Sequence, residues 1–322
     1  MQYRRLVVLG ASGFIGRYVV KRLAARGAVI AAVSRHASDA GFLRPMGDVG
    51  QIALLDIDIG DEPRLAAAVA GADAVVCAVG ILHERGRQRF EALHHQGPAR
   101  LARLARAAGA RAFIHLSAIG ADPQSPSAYG RSKAAGEASV RAAFPEATIL
   151  RPSVVFGPED DFFNRFAAMA RILPVLPLID GGRTRFQPVY VGDVADAVLA
   201  ALDRPEARGH IYQLGGPEIY TFRQLMELVL RETHRRRLLV NLPVPLATLQ
   251  AAFLEWLPNP PLTRDQVKLL QRDNVVLPGL PTLPDLGVAP TALDLVLPTY
   301  LDRFRRGGRW GRERTAPVGP PG

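Results

Sequence analysis

Three residues of this chain, Ser117, Tyr129 and Lys133, have the types and the spacing of an acid/base site. Tyr129 and Lys133 are four residues apart and therefore share one face of a helix predicted over 127–144. A lysine ammonium beside a tyrosine favours the phenolate and brings its pKa from ~10 toward the range that general acid/base catalysis needs. Ser117 ends a predicted strand, from which its hydroxyl would bind a substrate carbonyl or hydroxyl. These are the predicted catalytic residues, and Tyr129 and Lys133 are also predicted to bind the cofactor.

The alternative interpretation of the Tyr-x-x-x-Lys pair is a solvated helix face, because this pair is common. Two observations favour the site. Ser117 lies at the end of the preceding predicted strand, and Lys133 is one of only three lysines, with Lys21 and Lys268.

A glycine-rich turn connects the first predicted strand with the first predicted helix. Its spacing is G-x-x-G-x-x-G, in which the first glycine permits a tight turn, the second lets the backbone approach a pyrophosphate, and the third lets helix and strand pack closely. The helix N-terminus adds unpaired N–H groups and a positive dipole. The turn therefore predicts a dinucleotide site, and its predicted ligands are Gly10, Ser12, Gly13, Phe14, Ile15 and Gly16.

The end of the second predicted strand, Ser34-Arg35, bears on the choice of cofactor. A carboxylate at this point would bind the ribose 2′-hydroxyl of NAD, whereas an arginine suits the 2′-phosphate of NADP. The first acidic residue is Asp39, so NADP(H) is the predicted cofactor, with NAD(H) as the alternative. A solvated strand-end arginine is the other interpretation of Arg35.

The ends of two further predicted strands complete the expected adenosine side. Asp56 closes the third strand and is predicted to accept a hydrogen bond from the adenine amino group. Small residues close the fourth strand, where the dinucleotide would lie across the strand ends, and these are Ala78, Val79 and Gly80.

Short apolar stretches alternate with helix-length segments throughout the first half of the chain. The predicted strands are 6–9, 29–34, 52–57, 74–79, 112–117 and 148–151, and the predicted helices are 13–26, 62–70, 87–108 and 127–144. Unalternating apolar strands separated by helices indicate a parallel sheet covered on both faces. The predicted fold is therefore α/β, a Rossmann-type doubly wound parallel sheet.

The second half is richer in proline and its alternation loosens into segments 187–191, 194–202, 211–214 and 222–231. We expect an NAD(P)-binding domain over 1–155, to which 187–202 returns. A smaller, mostly helical substrate or partner domain is expected over 156–306. The Gly-, Arg- and Pro-rich tail over 307–322 is expected to be disordered.

The composition excludes several classes of protein. The 322 residues carry 40 Lys+Arg against 30 Asp+Glu, a formal charge of +10, and one cysteine, Cys77. A disulfide framework is thus excluded. The arginines are dispersed and no nucleic-acid-binding module is recognisable, so nucleic acid is not an expected partner. The histidines His83, His94 and His95 lack ligands at metal-binding spacing, so no metal site is predicted.

Two features bear on localisation. No segment reaches the ~18 consecutive apolar residues of a spanning helix, and Arg4-Arg5 leads directly into the first strand without the apolar region of a signal peptide. We expect a cytoplasmic protein, or a peripheral one on the cytoplasmic face of the inner membrane. Arg235, Arg236 and Arg237, with the helix predicted over 245–257, form a candidate contact with an anionic membrane surface; an ordinary core-facing helix is the alternative.

These motifs resemble the short-chain dehydrogenase/reductase superfamily, in its extended or atypical branch. The resemblance rests on the glycine turn, on Ser117, Tyr129 and Lys133, and on the stretch 150–158. It implies that Pro152 and Ser153 lie near the carboxamide of a nicotinamide cofactor.

Further stretches resemble a narrower family, the nucleotide-binding accessory subunits (alpha subcomplex subunit nine) of respiratory complex I and their bacterial relatives. These stretches are 115–122 with 127–129, 159–166, 187–194, 262–267 and 283–288. The resemblance implies bound NADPH with a structural or assembly role beside the membrane and the quinone site, with little or no turnover. An active NADP-dependent oxidoreductase, epimerase or dehydratase and a scaffold linked to ubiquinone biosynthesis are the alternatives.

Overall fold

The computed structural model describes residues 3–257 and 260–308. Its strands are β1 (Arg5–Leu9), β2 (Val29–Ser34), β3 (Ile52–Asp56), β4 (Ala74–Cys77), β5 (Ala112–Leu116), β6 (Thr148–Pro152), β7 (Val155–Phe156), β8 (Val175–Ile179), β9 (Arg185–Phe186), β10 (Val189–Tyr190), β11 (Ile211–Leu214), β12 (Tyr220–Thr221) and β13 (Leu238–Leu242). Its helices are α1 (Phe14–Ala25), α2 (Glu62–Val69), α3 (Gly97–Ala107), α4 (Ala128–Ala143), α5 (Phe162–Ile172), α6 (Val191–Asp203), α7 (Phe222–Glu232), α8 (Val244–Leu254), α9 (Arg264–Leu269) and α10 (Leu293–Leu301).

Seven strands form one parallel sheet in the order β11-β6-β5-β4-β1-β2-β3. Strand β1 pairs with both β2 and β4, so the direction of winding reverses beside it. Such a reversal opens a crevice at the carboxyl ends of the strands, where ligands of α/β sheets bind. The predicted doubly wound parallel sheet is confirmed.

Both faces of the sheet are covered, which explains why its strands are continuously apolar. One core joins the sheet to α1 and α6 through side chains such as Leu23 and Val198. The other joins it to α2, α3 and α4 through side chains such as Leu65, Leu101 and Val140.

The structure differs from the sequence predictions at two elements of this layer. The segment 211–214, which the sequence analysis left in the second half, is the edge strand β11 and pairs with β6. The helix predicted over 87–108 is a π-helical turn, Glu91–Gln96, followed by α3. The division into two domains stays a prediction.

The second half packs around its own aromatic core, which joins α5, α7 and α10 through Phe163, Phe222 and Tyr300. Beside it, β8 and β13 form a two-stranded parallel sheet, and α8 and α9 share a small core with Ile179. In the described part of the chain no helix combines the length and the hydropathy of a membrane span. Of the tail predicted over 307–322, residues 309–322 lie outside the described residues.

Candidate functional site

The glycine turn after β1 has the geometry that its spacing predicts. Gly10 has a φ of +81°, and a Cβ there would lie 2.8 Å from the Ala78 carbonyl oxygen. A Cβ on Gly16 would lie 2.1 Å from the Gly10 carbonyl oxygen. Gly13 is exposed and precedes α1 at a terminus that no side chain caps. The first N–H groups of α1 are thus available to an anion.

A cleft of about 150 Å³, partly open to solvent, lies above this turn. Eight of the residues predicted for the dinucleotide line it, and these are Gly10, Ser12, Gly13, Ser34, Arg35, Ala78, Val79 and Gly80. The other predicted ligands are not among its lining residues, and these are Phe14, Ile15, Gly16, Asp56, Tyr129, Lys133, Pro152 and Ser153. The Asp56 side chain is exposed.

Apolar walls that the sequence analysis missed complete the cleft. They are Leu9, Val33, Ile57, Ile59, Ile81 and Leu93. Ile57 and Ile59 follow β3 two residues apart, which is the spacing of side chains on one face of an extended segment. Asp56 and Asp58 alternate with them and therefore face the other way. This alternation of isoleucine and aspartate is visible in the sequence and would have distinguished the side chains that line the cleft from those that face away from it.

Polar groups without partners lie at the β2 end of the cleft. The Ser34 hydroxyl is buried and has no hydrogen-bond partner among the described residues. Arg35 is exposed, and no ion pair holds its guanidinium in the part of the chain that the structure describes. A buried hydroxyl and a cation that both lack partners fit the polar ribose and phosphate groups of a dinucleotide.

Lys133 connects the end of β5, which Ser117 directly follows, with Tyr129 in the first turn of α4. The Ser117 hydroxyl is buried without a hydrogen-bond partner among the described residues. The Lys133 side chain is only 4% exposed, and its Nζ donates to the Leu116 carbonyl oxygen at 3.3 Å. The same Nζ lies 5.9 Å from the centroid of the Tyr129 ring. The Lys133 ammonium is also close to the cleft, since a Cβ on Gly80 would lie 3.3 Å from Nζ.

The electrostatics of this group differ from the expectation. Lys133 was expected to lower the pKa of Tyr129, but burial raises that pKa to about 12. Burial also lowers the pKa of Lys133 to about 8, against the smaller opposing effects of Cys77 and Glu137. Desolvation penalises the charged form of each group, and at this separation it outweighs their mutual effect.

His94, which lies in the π-helical turn, connects the cleft wall with α4. Its Nε2 accepts a hydrogen bond from the Ile81 N–H at 3.0 Å, so the proton of the neutral ring belongs on Nδ1. Nδ1 is 2.8 Å from the Ser132 hydroxyl, which donates to the Tyr129 carbonyl oxygen at 2.7 Å. Burial, with the nearby Lys133, lowers the pKa of His94 to about 2, so the ring stays neutral. Sequence spacing alone gave no signal for this link.

Glycine 136 makes this close approach of the turn and α4 sterically feasible. A Cβ at Gly136 would lie 1.9 Å from the His94 carbonyl oxygen. The other buried histidine, His115, has no hydrogen-bond partner for either ring nitrogen among the described residues. Burial lowers the pKa of His115 to about 3, which keeps this ring neutral as well.

Pro152 and Ser153 lie at the end of β6. Pro152 is the last residue of that strand, and its carbonyl oxygen accepts from the Ile119 N–H at 2.9 Å. The Ser153 hydroxyl is within 2.6 Å of Asn274 Oδ1 and 2.9 Å of the Asn274 carbonyl oxygen. Ser153 is therefore tied to the second half of the chain.

The predicted basic cluster is partly used inside the fold. Arg235 donates to the Phe304 carbonyl oxygen, at 2.8 Å for its closer contact, and Arg237 donates to the Ala170 carbonyl oxygen at 2.8 Å. Arg236 is exposed. Two of the three guanidiniums thus hold main-chain groups of the second half together.

Helix α8 and the residues after it carry apolar side chains on two faces. Ala247 and Ala251 are buried against the small core around Ile179. On the opposite side an apolar stripe is exposed at helical spacing, and Trp256 in it is 89% exposed. This stripe, called the α8 stripe below, consists of Leu246, Leu249, Phe253 and Trp256.

Comparison with known proteins identifies a family for this chain. A family model described as the NAD dependent epimerase/dehydratase family matches residues 6–215, which include all of the main sheet except Arg5, the first residue of β1.

Two curated relatives match over most of the chain. One is the mitochondrial NADH dehydrogenase [ubiquinone] 1 alpha subcomplex subunit 9 of Arabidopsis thaliana, 36% identical over 94% of this chain and 78% of the relative. The other is a ceramide reductase of Caulobacter vibrioides, 31% identical over 74% of each chain. Among solved structures, Pal from Bacillus thuringiensis has a TM-score of 0.71 at 18% identity and covers 94% of this chain and 100% of its own. That similarity concerns the fold alone.

Proposed function

Because the chain belongs to the NAD dependent epimerase/dehydratase family, we propose that its cleft binds a nicotinamide dinucleotide and that NADP(H) is the preferred one. The observation that carries the proposal lies at the β2 end, where the buried Ser34 hydroxyl has no hydrogen-bond partner and the exposed Arg35 guanidinium no ion pair within the described ranges. An arginine there suits a 2′-phosphate, whereas NAD would call for a carboxylate.

Each part of the cofactor has candidate partners in the cleft. The pyrophosphate would lie on the N-terminus of α1 at Gly13, and the adenosine between the apolar walls formed by Ile57 and Ile59. The nicotinamide half would lie toward Tyr129 and Lys133, on the opposite side of the strand reversal. When bound, the nicotinamide supplies hydride-transfer chemistry.

The choice between the two cofactors is tested by Arg35→Asp. We expect NADPH affinity to fall at least about tenfold, because a charge-assisted contact with the 2′-phosphate is lost and a like charge is introduced. NADH affinity should change little. Arg44→Asp is the matched control, since Arg44 is also exposed and lies outside the cleft lining. Equal affinities of the wild-type chain for NADPH and NADH would contradict the preference.

We further propose that the protein is an accessory or assembly component of an NADH:ubiquinone oxidoreductase, in which the bound cofactor has a structural role. The similarity to the Arabidopsis subunit over 94% of this chain supports this role. A surface suited to a protein partner is present in the α8 stripe, where residues 244–254 include no charged side chain and the following Glu255 is paired with Arg264. An uncharged apolar stripe favours a protein surface over an anionic lipid surface, which would call for basic residues beside it.

Co-purification tests this role. A tagged chain expressed in its native host should bring down subunits of the oxidoreductase, and Phe253→Asp should abolish that recovery. Val49→Asp is the control, because Val49 is a fully exposed apolar residue elsewhere on the surface. Flotation with anionic liposomes that persists in the absence of other proteins, and that Phe253→Asp removes, would instead assign the stripe to the membrane.

An active NADP-dependent oxidoreductase, epimerase or dehydratase is the second candidate. The observation that favours it is the convergence of Ser117, Tyr129 and Lys133 at one strand end. In that function Tyr129 would transfer a proton at the substrate oxygen and Ser117 would orient this oxygen. The Lys133 ammonium would favour the phenolate and so offset part of the burial that raises the phenol pKa. The proposed structural role predicts retained NADPH that a panel of carbonyls and quinones leaves reduced. Rapid oxidation that Tyr129→Phe abolishes would establish the enzyme.

A further inference from the structure

The first turn of α4, the helix that carries Tyr129 and Lys133, is held by a residue from the second half of the chain. The Asp265 carboxylate accepts three hydrogen bonds there. Its Oδ2 accepts from the Ser127 hydroxyl at 2.6 Å and from the Tyr129 N–H at 3.1 Å, and its Oδ1 accepts from the Ala128 N–H at 2.8 Å.

These contacts satisfy groups that a helix leaves unpaired. The first N–H groups of a helix have no partner within it, and the positive end of the dipole favours a carboxylate. The helix's own cap is weak, because the Ser127 hydroxyl accepts from the Gly130 N–H at 3.4 Å. Asp265 therefore provides the better part of the capping of α4.

Asp265 is itself fixed by short-range contacts. It lies in the first turn of α9, which begins with a capping box between Thr263 and Gln266. The neighbouring Arg264 N–H donates to Glu255 Oε1 at 2.7 Å, and Glu255 directly follows α8. The Asp265 carboxylate is thus presented to α4 by a turn that the capping box and the Glu255 contact hold in place.

The segment 263–277, called the strap below, also holds the other elements on this side of the cleft. Asn274 Oδ1 accepts from the Val154 N–H at 3.0 Å and contacts the Ser153 hydroxyl. Arg272 pairs with Asp122 at 3.3 Å, just before α4. Within the described ranges no hydrogen bond joins the strap to the glycine turn or to Ser34 and Arg35.

We propose that Asp265 is a positioning residue, which fixes the first turn of α4 and so sets Tyr129 and Lys133 against the nicotinamide half of the cofactor. The adenosine half binds independently of it. This inference rests on the proposed dinucleotide site and deepens it. The strap is then the means by which the second half of the chain acts on the cofactor.

The test is to compare the full cofactor with its adenosine half. In the full chain, Asp265→Asn leaves one acceptor and places an amide N–H₂ against the donors of α4. We expect NADPH affinity to fall about tenfold, the size of effect typical of losing a helix cap. Affinity for 2′,5′-ADP, which lacks the nicotinamide half, should stay unchanged. The matched control is Asp61→Asn, since Asp61 caps α2 in a comparable way, by accepting from the Arg64 N–H at 3.2 Å.

Each outcome decides the inference. Equal losses of affinity for NADPH and 2′,5′-ADP would mean general destabilisation and would overturn it, as would no loss for either. If Asp265→Asn does not fold, Ser127→Ala removes the shortest of the three contacts and should give the same split on a smaller scale. A wild-type chain that binds neither ligand would refute the proposed cofactor site and the inference with it, whereas failure of the inference alone leaves wild-type binding intact.

Discussion

Replacing Lys133 with methionine should make the unliganded protein more stable at pH 7. The Lys133 side chain is 4% exposed, and burial lowers its pKa from 10.5 to about 8. At pH 7 the group is charged in both the folded and the unfolded chain, so the folded state bears the full cost of burying the ammonium. At 1.36 kcal/mol per pKa unit this cost is about 3 kcal/mol.

Part of this gain is offset. Methionine cannot donate to the Leu116 carbonyl oxygen, and the loss of that hydrogen bond costs about 1 kcal/mol. The expected net increase in the free energy of unfolding is about 2 kcal/mol at pH 7. As the pH rises above about 8, folded Lys133 deprotonates while the unfolded chain stays protonated up to 10.5, so the wild type gains stability and the difference shrinks.

Urea unfolding of the wild type and of Lys133→Met between pH 7 and pH 10 measures this difference. The two variants must be compared because Cys77 also makes stability depend on pH. Burial raises the pKa of its thiol from 9.0 to about 11, so between these pH values Cys77 lowers the stability of both proteins as the pH rises. Lys21→Met is the control, because Lys21 is exposed and its replacement should change little at any pH. A Lys133→Met protein that is less stable than the wild type at pH 7, or a difference independent of pH, would refute the argument.

Two further predictions concern the packing around α4. Gly136→Ala should lower the free energy of unfolding by about 3 kcal/mol, because the new Cβ would lie 1.9 Å from the His94 carbonyl oxygen; Gly41→Ala, which meets no atom within 4 Å, should be tolerated, and thermal unfolding of both variants checks this. Arg151→Met should cost about 3 kcal/mol by leaving the buried Glu137 carboxylate without its ion pair at 2.5 Å, and adding Glu137→Gln should restore part of the loss in a double-mutant cycle.

The architecture of the main sheet was predictable because its signals are local. The apolar strands, the glycine turn and the amphipathic helices each depend on neighbouring residues, and the observed bounds differ from the predicted ones by one or two residues at most elements. The glycine at position 16 could be assigned a role because helix–strand packing requires it. The segment 211–214 was recognised with the bounds of β11, but its pairing with β6 was not, because more than 50 residues separate the two strands and a four-residue edge strand carries no local signal of its partner.

The electrostatics and the long-range contacts of the site could not be predicted. The spacing of Tyr129 and Lys133 predicts that they share one helix face, but it does not predict that both side chains are buried. The Tyr129 pKa was expected to be lowered, and burial raises it instead. Likewise, Asp265 entered the sequence analysis only within the stretch 262–267, because its contact with Tyr129, 136 residues away, depends on how the second half folds back. The basic residues Arg235 and Arg237 suggested a surface, but they hold main-chain carbonyls instead.

The position of the strap along the chain imposes an order on biosynthesis. Translation runs from the N-terminus, and domains begin to fold as they emerge from the ribosome. The sheet through β6 and the glycine turn are complete long before Asp265 and Asn274 are made. A nascent chain can therefore offer an adenosine pocket before its acid/base helix is capped. If the cap is needed as proposed, tight retention of the whole cofactor becomes a property of the finished chain and marks its maturation.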